Sequence, residues 1–543
     1  MVEKLIRHWL TFLVYSTFTV KFGFDKVQKG EPIQKRANVL FIILDQLRAD
    51  CVFGNLAEHV NLPNIQTLAK DSVSFLKHFS VTNPCGPSRA SILTGQYAMN
   101  HRSVRNGTPL RHDTPNLATE IRKAGYVPML FGYTDTSQDP RVHDTNDPAL
   151  KSCEYPMTGF HEVVEMRQGM SYPWRSHLLD RGYNFSNYQN IYHPVSKTGG
   201  TPKINDPAFY SAEHSDTAFL TDRFLAEIPN YADESWFAHL TYIRPHPPLV
   251  APSPYNTMYD PSKLPLPTRL TTKEDEEAVH PFFGPLHIKD PVSKFVTGFP
   301  QLSATDENVQ ALRSIYLGLA TEVDFHIGRV IQFLKDNDQY GDTMIILTSD
   351  HGEMLGDRHS WGKLSVYDAA YQTPLIIHVP ELGDQAGRKI EMISESVDIT
   401  PTILDWVMQS VPNSMDGKSL IPILHGEKPT DWRKYSFSEL DFALPTAPTV
   451  WEQILGLNTK NGNLSIIREE QFTLVQFAAD LPPLLFDHSR QGEMVDVSKA
   501  PEYQETLYEM TLRLLRHRMK YTEQTLSETI ITSEGAKTQY RIP

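Results

Sequence analysis

One stretch of the chain combines a cysteine, an arginine and helix-starting residues, a set that can bind and react with an anion. It reads Asn-Pro-Cys-Gly-Pro-Ser-Arg-Ala-Ser-Ile-Leu-Thr-Gly over residues 83–95. Pro87 and Ser88 suit the first turn of a helix, because a proline there gives up no hydrogen bond. Such a helix would direct its free N–H groups and positive dipole end at Cys85, and Arg89 adds a forked cation. A cysteine alone at a helix start is better explained as a buried structural residue, so its companions carry the prediction of a site.

Two aspartates and a histidine form a second candidate set, suited to a metal ion. Asp45 follows the apolar run Asn38–Leu44, and Asp350 and His351 come just after the apolar run at residues 343–348. Such runs indicate strands buried on both faces of a parallel sheet, where functional groups gather at the carboxyl ends. Each residue taken singly is commonly a helix cap or a turn residue. Together, two carboxylates and an imidazole predict a divalent-metal site close to the cysteine.

The stretch around Cys85 resembles the signature of the sulfatases, a family of the alkaline phosphatase superfamily. The matching pattern, Cys-x-Pro-Ser-Arg-Ala-Ser-x-Leu-Thr-Gly, is long and specific. The resemblance implies that Cys85 is oxidised to formylglycine, whose hydrate is the nucleophile, and that Arg89 steadies this hydrate. It also implies one divalent ion, Mn²⁺ or Ca²⁺, with Mg²⁺ and Zn²⁺ as alternatives. Gln46 and His351 stand where many sulfatases carry Asp and Asn. The implied metal ligands are Asp45, Gln46, Cys85, Asp350 and His351.

A wider set of motifs resembles the phosphonate monoester hydrolase branch, which is close to the arylsulfatases. The similarity covers most of the chain, from about residue 38 to about residue 518. The motifs are Asp-Gln at 45–46, Met-Asn-His-Arg at 99–102, Gly-Tyr-Thr at 132–134, Arg-Pro-His-Pro-Pro at 244–248 and Ser-Asp-His-Gly-Glu at 349–353. The resemblance implies a substrate pocket lined by Asn106, Tyr133, His246 and Lys363.

The chemistry of these side chains fits an ester anion. Lys363 can meet a non-bridging oxygen as a point charge, and His246 can donate to an oxyanion or protonate a leaving group. Asn106 and Tyr133 offer neutral donors, which suit a singly charged ester better than a dianion. Asp135 stands where the branch tends to carry threonine, and a like charge a few ångströms from a dianionic phosphate costs on the order of 1–4 kcal/mol. We therefore expect Asp135 to lie near the substrate and to disfavour dianions. The alternatives are that Asp135 binds a cationic group of the substrate or acts on a proton.

The resemblance implies a metal- and formylglycine-dependent hydrolase of sulfate esters, of the arylsulfatase type, that also acts on phosphonate monoesters and phosphodiesters. In that chemistry the hydrate attacks sulfur or phosphorus, and its second hydroxyl lets the covalent intermediate collapse. The pocket residues favour an alternative, a hydrolase acting primarily on phosphonate monoesters or phosphodiesters. Two further hypotheses are a metal phosphodiesterase that keeps Cys85 as a thiol and a non-catalytic interaction protein on the same fold. The complete set of ligands disfavours the last of these.

Strands and helices alternate up to about residue 410, which predicts one α/β domain. With the resemblance, this indicates an alkaline phosphatase-like fold, doubly wound around a mostly parallel central sheet flanked by helices, with a smaller C-terminal α+β subdomain. In that subdomain we expect strands at Phe472–Phe477 and Leu484–Asp487 and a helix at 505–522. The predicted organisation is an N-terminal arm at 1–35, a catalytic domain at 36–430 with loop-rich insertions at 137–210 and 252–306, and the subdomain with a polar tail at 431–543.

Charge and composition limit the partners. The 543 residues include 51 Lys and Arg against 65 Asp and Glu, a net charge of −14, which argues against a general nucleic-acid partner. Three cysteines predict no disulfide framework and favour a reducing, cytoplasmic location over export to the periplasm. The apolar run near the N-terminus is too short to span a bilayer, so we interpret it as part of the arm. Arms and tails often wrap a neighbouring subunit, which predicts a homodimer or homotetramer. The resemblance adds a formylglycine-generating enzyme as a partner during maturation.

Overall fold

The computed structural model of the protein describes residues 37–169, 171–187, 191–196, 198–231 and 234–538. In these ranges the chain forms a large central sheet with helices on both faces and a separate four-stranded sheet in its C-terminal part. The predicted N-terminal arm at 1–35 lies outside the described residues.

Strands account for two main sheets and two small ones. In chain order they are β1 (Asn38–Leu44), β2 (Val73–Phe75), β3 (His78–Phe79), β4 (Pro128–Gly132), β5 (His161–Glu165), β6 (Phe237–Tyr242), β7 (Thr343–Ser349), β8 (Leu375–His378), β9 (Lys389–Ile390), β10 (Ser394–Glu395), β11 (Ser436–Asp441), β12 (Asn463–Arg468), β13 (Phe472–Phe477), β14 (Leu484–Asp487), β15 (Thr529–Thr532) and β16 (Gly535–Thr538).

The central sheet has the order β5-β4-β6-β1-β7-β8-β2-β9. Every neighbouring pair in it is parallel except the two pairs that include β8. The prediction of a mostly parallel sheet is therefore confirmed.

The helices of the described ranges connect these strands. In chain order they are α1 (Asp50–Phe53), α2 (Pro63–Lys70), α3 (Cys85–Thr94), α4 (Ala98–His101), α5 (Leu117–Lys123), α6 (Tyr172–Asp180), α7 (Asp216–Glu227), α8 (Lys273–Val279), α9 (Phe283–Lys289), α10 (Asp306–Asp336), α11 (Asp368–Tyr371), α12 (Ile399–Trp406), α13 (Ile421–Leu424), α14 (Val450–Leu455) and α15 (Gln504–Lys520).

Strand β1 shows why the sheet is covered on both faces. All seven of its residues are buried, as its continuous apolar sequence predicts. Because successive side chains point to opposite faces, residues 40, 42 and 44 join a core that includes α10, whereas residues 39, 41 and 43 join a core that includes α3. Helices therefore lie on both faces, and the doubly wound arrangement is confirmed.

The two predicted loop-rich insertions contain regular elements that the sequence analysis missed. The first, at 137–210, includes α6 and β5, and β5 is an edge strand of the central sheet that pairs with β4. Its sequence, His-Glu-Val-Val-Glu, is polar because an edge strand needs little burial, so it lacks the apolar run of the inner strands. The second insertion, at 252–306, includes α8 and α9.

The C-terminal sheet is an antiparallel meander of β11, β12, β13 and β14. The predicted strands at Phe472–Phe477 and Leu484–Asp487 are confirmed, and α15 packs on this sheet through Met510 and Leu514. The polar tail adds a hairpin of β15 and β16, on which Ile530 and Ile531 are 68% and 78% exposed. A search of the described ranges found no helix with the length and apolar character needed to cross a membrane.

Candidate active site

Two aspartates meet at the carboxyl edge of the central sheet because β1 and β7 are aligned in register. Leu44, the last residue of β1, pairs with Ser349, the last residue of β7. Asp45 and Asp350 follow directly on each strand, and both side chains are buried. The two apolar runs therefore end at the same place, as the sequence analysis expected.

The cysteine lies in the first turn of α3, which begins at Cys85 and not at Pro87 as expected. The N–H group of Ser88 already donates to the carbonyl oxygen of Pro84 at 3.0 Å, so helical hydrogen bonding starts before Pro87. Proline is tolerated here because its position has no intrahelical donor to lose. The side chain of Cys85 is therefore held by the helix itself and is 4% exposed.

Four side chains converge beside this helix end. Ligand atoms of Asp45, Cys85, Asp350 and His351 all lie within 4.8 Å of one another. His351 donates from Nδ1 to the carbonyl oxygen of Gly352 at 3.0 Å, so the lone pair of Nε2 faces the cluster, 3.2 Å from Cys85 Sγ. The Oδ1 atom of Asp45 is buried without a hydrogen-bond partner. Because a buried carboxylate oxygen seldom lacks a partner, this donor set fits a bound divalent cation.

Electrostatics at the cluster also favour a cation. Burial raises the pKa of the Cys85 thiol, and the charge of Asp45 raises it further. Burial lowers the pKa of His351 to about 3, and the nearby Lys363 adds to this shift, so the imidazole is neutral. A negatively charged group at position 85 is therefore stable only if a positive charge lies close to it.

Arg89 cross-links the two acids. Its Nε donates to Asp350 at 2.9 Å and its Nη2 donates to Asp45 at 3.1 Å. A third donor, Nη1, reaches the hydroxyl of Thr241 at 2.6 Å, and the guanidinium lies 4.1 Å from the ring centroid of Tyr133. These hydrogen bonds hold the carboxylates in position, and the expected role of Arg89 in steadying a hydrate at Cys85 stays a prediction.

Gln46 is hydrogen-bonded to Glu353, a residue next to the cluster that the sequence analysis did not single out. Lys363 donates from Nζ to Gln46 Oε1 at 2.6 Å, and Gln46 donates from Nε2 to Glu353. Glu353 also accepts from the backbone N–H groups of Leu355 and Gly362, at 2.9 and 2.6 Å. Glu353 thus anchors the segment that carries Lys363, and the role of Gln46 as a metal ligand stays a prediction.

Lys363 and His246 form a donor–acceptor pair in the site. Lys363 donates from Nζ to His246 Nε2 at 3.0 Å, and His246 donates from Nδ1 to the carbonyl oxygen of Pro247 at 2.5 Å. Burial lowers the pKa of Lys363, but the negative charges around Cys85 and Asp45 outweigh burial and raise it above its usual value. Burial and the charge of Lys363 lower the pKa of His246 to about 3. Lys363 therefore carries the proton, and His246 accepts where it was expected to donate.

The loop that carries His246 is fixed by a buried arginine that the sequence analysis did not single out. Arg244 donates from Nη1 to the carbonyl oxygens of His246 and Pro248, each at 3.0 Å. Its Nε donates to Asp216 at 3.0 Å, and both side chains are buried. The only signal in the sequence was its place in the Arg-Pro-His-Pro-Pro motif.

The remaining predicted pocket residues differ in position. Tyr133 is 2% exposed, its hydroxyl donates to Asp45, and it is not among the residues that line the adjoining cavity, so its role in binding substrate stays a prediction. Asn106 is exposed, and its Oδ1 accepts from the N–H group of Gly86 at 2.9 Å, which leaves its NH₂ group as a donor. Burial raises the pKa of Asp135 to about 8, so this carboxyl is largely protonated at neutral pH and repels a dianion less than expected.

A cavity of about 400 Å³ adjoins this cluster. Residues of the candidate site that line it are Gln46, Asn106, His246 and Lys363. Further walls come from the 252–306 segment and the C-terminal part of the chain, and include Lys289, Asp290, Lys294, Phe295, Asp441, Phe442 and Trp451. Long irregular insertions such as 252–306 are often binding loops, so a contribution from this segment was foreseeable. Nothing in the local sequence of the C-terminal part marks it as a neighbour of Lys363.

Two family models match the chain, Sulfatase over residues 37–409 and N-sulphoglucosamine sulphohydrolase, C-terminal, over residues 356–520. The multifunctional alkaline phosphatase superfamily protein PehA of Trinickia caryophylli is 35% identical over 520 residues, 93% of this chain and 99% of that protein. An arylsulfatase of Clostridium perfringens is 27% identical over 433 residues, 75% of this chain and 82% of that protein. The solved structure of phosphonate monoester hydrolase SpPMH from Silicibacter pomeroyi is 63% identical, with a TM-score of 0.92, and covers 94% of this chain and 100% of that one.

Proposed function

The chain belongs to the sulfatase family, and we propose that it hydrolyses sulfate esters with a metal ion and a formylglycine at position 85, and accepts phosphonate monoesters and phosphodiesters at the same site. The observation that carries the proposal is the convergence of Asp45, Cys85, Asp350 and His351 within 4.8 Å beside an open cavity. Sulfate esters, phosphonate monoesters and phosphodiesters share a tetrahedral centre, one negative charge and an ester leaving group. One site can therefore serve all three.

The proposed metal is held by Asp45, Asp350, His351 and the modified residue 85, with Gln46 as a further candidate ligand. Oxygen ligands with one imidazole suit Mn²⁺ or Ca²⁺, with Mg²⁺ and Zn²⁺ as alternatives. A divalent cation there supplies concentrated positive charge next to the reacting ester. A formylglycine hydrate supplies hydroxyl groups where the thiol of Cys85 now lies.

The side chains of the protein have separate tasks in this proposal. Lys363 holds protons directed at Gln46 Oε1 and His246 Nε2, and it can redirect one to a non-bridging oxygen of the ester. His246, neutral and fixed by Arg244, keeps the ammonium group oriented. Asn106 adds a neutral donor from its NH₂ group, while Arg89 keeps the two carboxylates from moving. Beside the metal ion, one charged donor, Lys363, and one neutral donor, Asn106, match a monoanion better than a dianion.

The decisive experiment compares kcat/KM for an aryl sulfate and an aryl phosphonate monoester with the same leaving group. The preparation has a defined metal content and a formylglycine fraction measured by the mass of the peptide across Cys85. We expect both esters to be hydrolysed, with the sulfate ester preferred, and no turnover by a Cys85→Ala variant. Absence of turnover of both esters by metal-loaded, formylglycine-containing protein would overturn the proposal.

A second candidate function is a hydrolase that acts primarily on phosphonate monoesters or phosphodiesters. The observation that favours it is the high identity to the solved phosphonate monoester hydrolase along almost the whole chain. In the experiment above, a preference for the phosphonate ester would assign this alternative.

The proposed partner during maturation is a formylglycine-generating enzyme. Cys85 is 4% exposed in the folded chain, which supports oxidation by this partner before folding is complete. We also propose a homodimer or homotetramer that uses the exposed hairpin β15–β16, and a cytoplasmic location, with the periplasm as the alternative.

A further inference from the structure

One wall of the cavity carries more positive than negative charge. Lys289 and Lys294 share a single carboxylate, Asp290, whose Oδ1 lies 3.6 Å from Lys289 Nζ and 2.5 Å from Lys294 Nζ. A second charged pair in the cavity, Arg105 with Asp441, is balanced at 2.9 Å. The first group therefore leaves one positive charge in excess, within a chain whose net charge is −14.

This group lies next to the proposed reaction site. The Oδ2 atom of Asp290 is 4.0 Å from the position that a β-carbon would take on Gly362, the residue before Lys363. Asp290 is 6% exposed, Lys289 is 29% exposed and Lys294 is 53% exposed, so water screens the group only in part. Burial lowers the pKa of Lys289 and the charge of Lys294 lowers it further, against the opposing charge of Asp290. An added anion would relieve this crowding of two ammonium groups around one carboxylate.

The same part of the cavity has aromatic walls. Trp451 donates from Nε1 to the carbonyl oxygen of Phe282 at 2.9 Å, and its ring packs against Phe442 with centroids 5.6 Å apart. Phe295 packs against Trp361 with centroids 5.7 Å apart. Rings held in this way offer a fixed apolar surface, which suits the body of an aryl or bulky alkyl group.

We propose that Lys289 and Lys294 form a subsite that selects esters whose leaving group carries a second negative charge, such as a carboxylate on an aryl or alkyl alcohol. This inference rests on the proposed function, because the leaving group is placed by the ester that Lys363 binds. The aromatic walls contact the body of the leaving group, and the two ammonium groups meet its anion. Asp290 limits the preference by partly neutralising both lysines.

The test uses two phosphonate monoesters of similar shape, whose leaving groups are 4-carboxyphenyl, which is charged, and 4-carbamoylphenyl, which is neutral. The measured quantity is the ratio of kcat/KM for the carboxylate ester to that for the carboxamide ester. In the wild-type protein we expect a ratio of about 10, since partly shielded charges a few ångströms apart interact by the equivalent of about one order of magnitude. Lys289→Gln and Lys294→Gln should each lower the ratio about 3- to 10-fold, whereas Asp290→Asn should raise it.

A matched control is Lys263→Gln, which removes an 82% exposed lysine of the same segment that lies outside the cavity. It should leave the ratio unchanged. Calorimetry adds a readout that needs no turnover: 4-hydroxybenzoate should bind the wild-type protein more tightly than 4-hydroxybenzamide, and Lys289→Gln should remove the difference.

If both esters are hydrolysed but none of the three cavity variants changes the ratio, the subsite is overturned and the proposed function stands. Equal binding of the two phenols by the wild-type protein would also overturn the subsite. If the wild-type protein hydrolyses neither ester but still binds the two phenols with different affinity, the result counts against the proposed function. It would still support an anion subsite at these lysines.

Discussion

Arg89 donates from Nε to Asp350 Oδ2 at 2.9 Å, and both side chains are fully buried. The contact joins the helix that carries Cys85, the proposed precursor of the nucleophile, to the strand end that carries two candidate metal ligands. Since the same guanidinium also reaches Asp45, one buried cation sets the spacing of the acids on which the site depends.

Replacement of Arg89 by methionine should destabilise the protein strongly. Removing one partner of a buried ion pair leaves uncompensated charge, which costs about 3–5 kcal/mol. The urea midpoint of the metal-free protein measures the loss. We expect added divalent metal to restore part of it, because a cation would again balance Asp45 and Asp350.

The matched control for that variant is Arg111→Met. Arg111 pairs with Asp113 at the surface, and its side chain is 62% exposed, so its loss should leave the midpoint unchanged. Equal midpoints for the wild-type protein and Arg89→Met would contradict the importance of the buried pair.

Chelation should remove both the metal and the activity. Asp45→Asn and Asp350→Asn should each lower the bound metal per chain, because they replace a charged ligand by a neutral one. Metal content after dialysis, measured by mass spectrometry, tests this directly. Asp50→Asn, five residues from Asp45 in the sequence and paired with Arg48, should retain full metal content. Full metal content in the Asp45 and Asp350 variants would refute the assignment of these ligands.

Cys85→Ser should abolish sustained turnover, because a serine cannot provide the two hydroxyl groups of a formylglycine hydrate. We expect kcat to fall more than about 10³-fold. Cys153, which is exposed, provides the control, and Cys153→Ser should keep wild-type kcat. Multiple turnovers by Cys85→Ser at the wild-type rate would exclude the formylglycine chemistry.

Glu322 should make stability depend on pH. Burial raises its pKa from 4.5 to about 8, and the charge of Asp216 adds to the shift. The folded state therefore binds this proton more tightly than the unfolded state, so stability falls as pH rises from about 4.5 to 8. Glu322→Gln cannot ionise, and its stability relative to the wild-type protein should grow by up to about 1.4 kcal/mol per pH unit in that window.

Unfolding midpoints between pH 5 and pH 8 measure this difference. Glu307→Gln, an exposed glutamate on the same helix α10, should show no such trend. A difference between Glu322→Gln and the wild-type protein that stays constant across the range would disprove the shift.

The hairpin β15–β16 should contribute to assembly. Ile530→Asp together with Ile531→Asp places charge on two residues that are 68% and 78% exposed in the single chain. If the hairpin contacts a second copy, the mass measured by light scattering should fall towards that of the monomer. Met408→Asp, at an 88% exposed residue elsewhere, should leave the mass unchanged. An unchanged mass in the double variant would rule out this contact.

Much of the architecture followed from local patterns in the sequence. Strands β1 and β7 were predictable because a strand buried on both faces is apolar throughout, and α10 because its apolar residues recur at helical spacing. Edge strand β5 was missed because an exposed edge carries no such pattern. Helix α3 starts earlier than predicted, since Pro87 is compatible with any position of the first turn.

Residue types and motifs were enough to name the candidate residues: the stretch around Cys85, the acids after two apolar strands, His351, His246 and Lys363. How these residues contact one another follows only from the fold. Arg89 and Asp350 are 261 residues apart and Gln46 and Glu353 are 307 apart, so no local pattern could reveal their contacts. The family resemblance implied that Tyr133 donates to the substrate. In the structure its hydroxyl donates to Asp45, because parallel strands bring the two residues to the same edge of the sheet. The direction of each hydrogen bond and each pKa depends on burial and neighbouring charge, and only the folded chain supplies these.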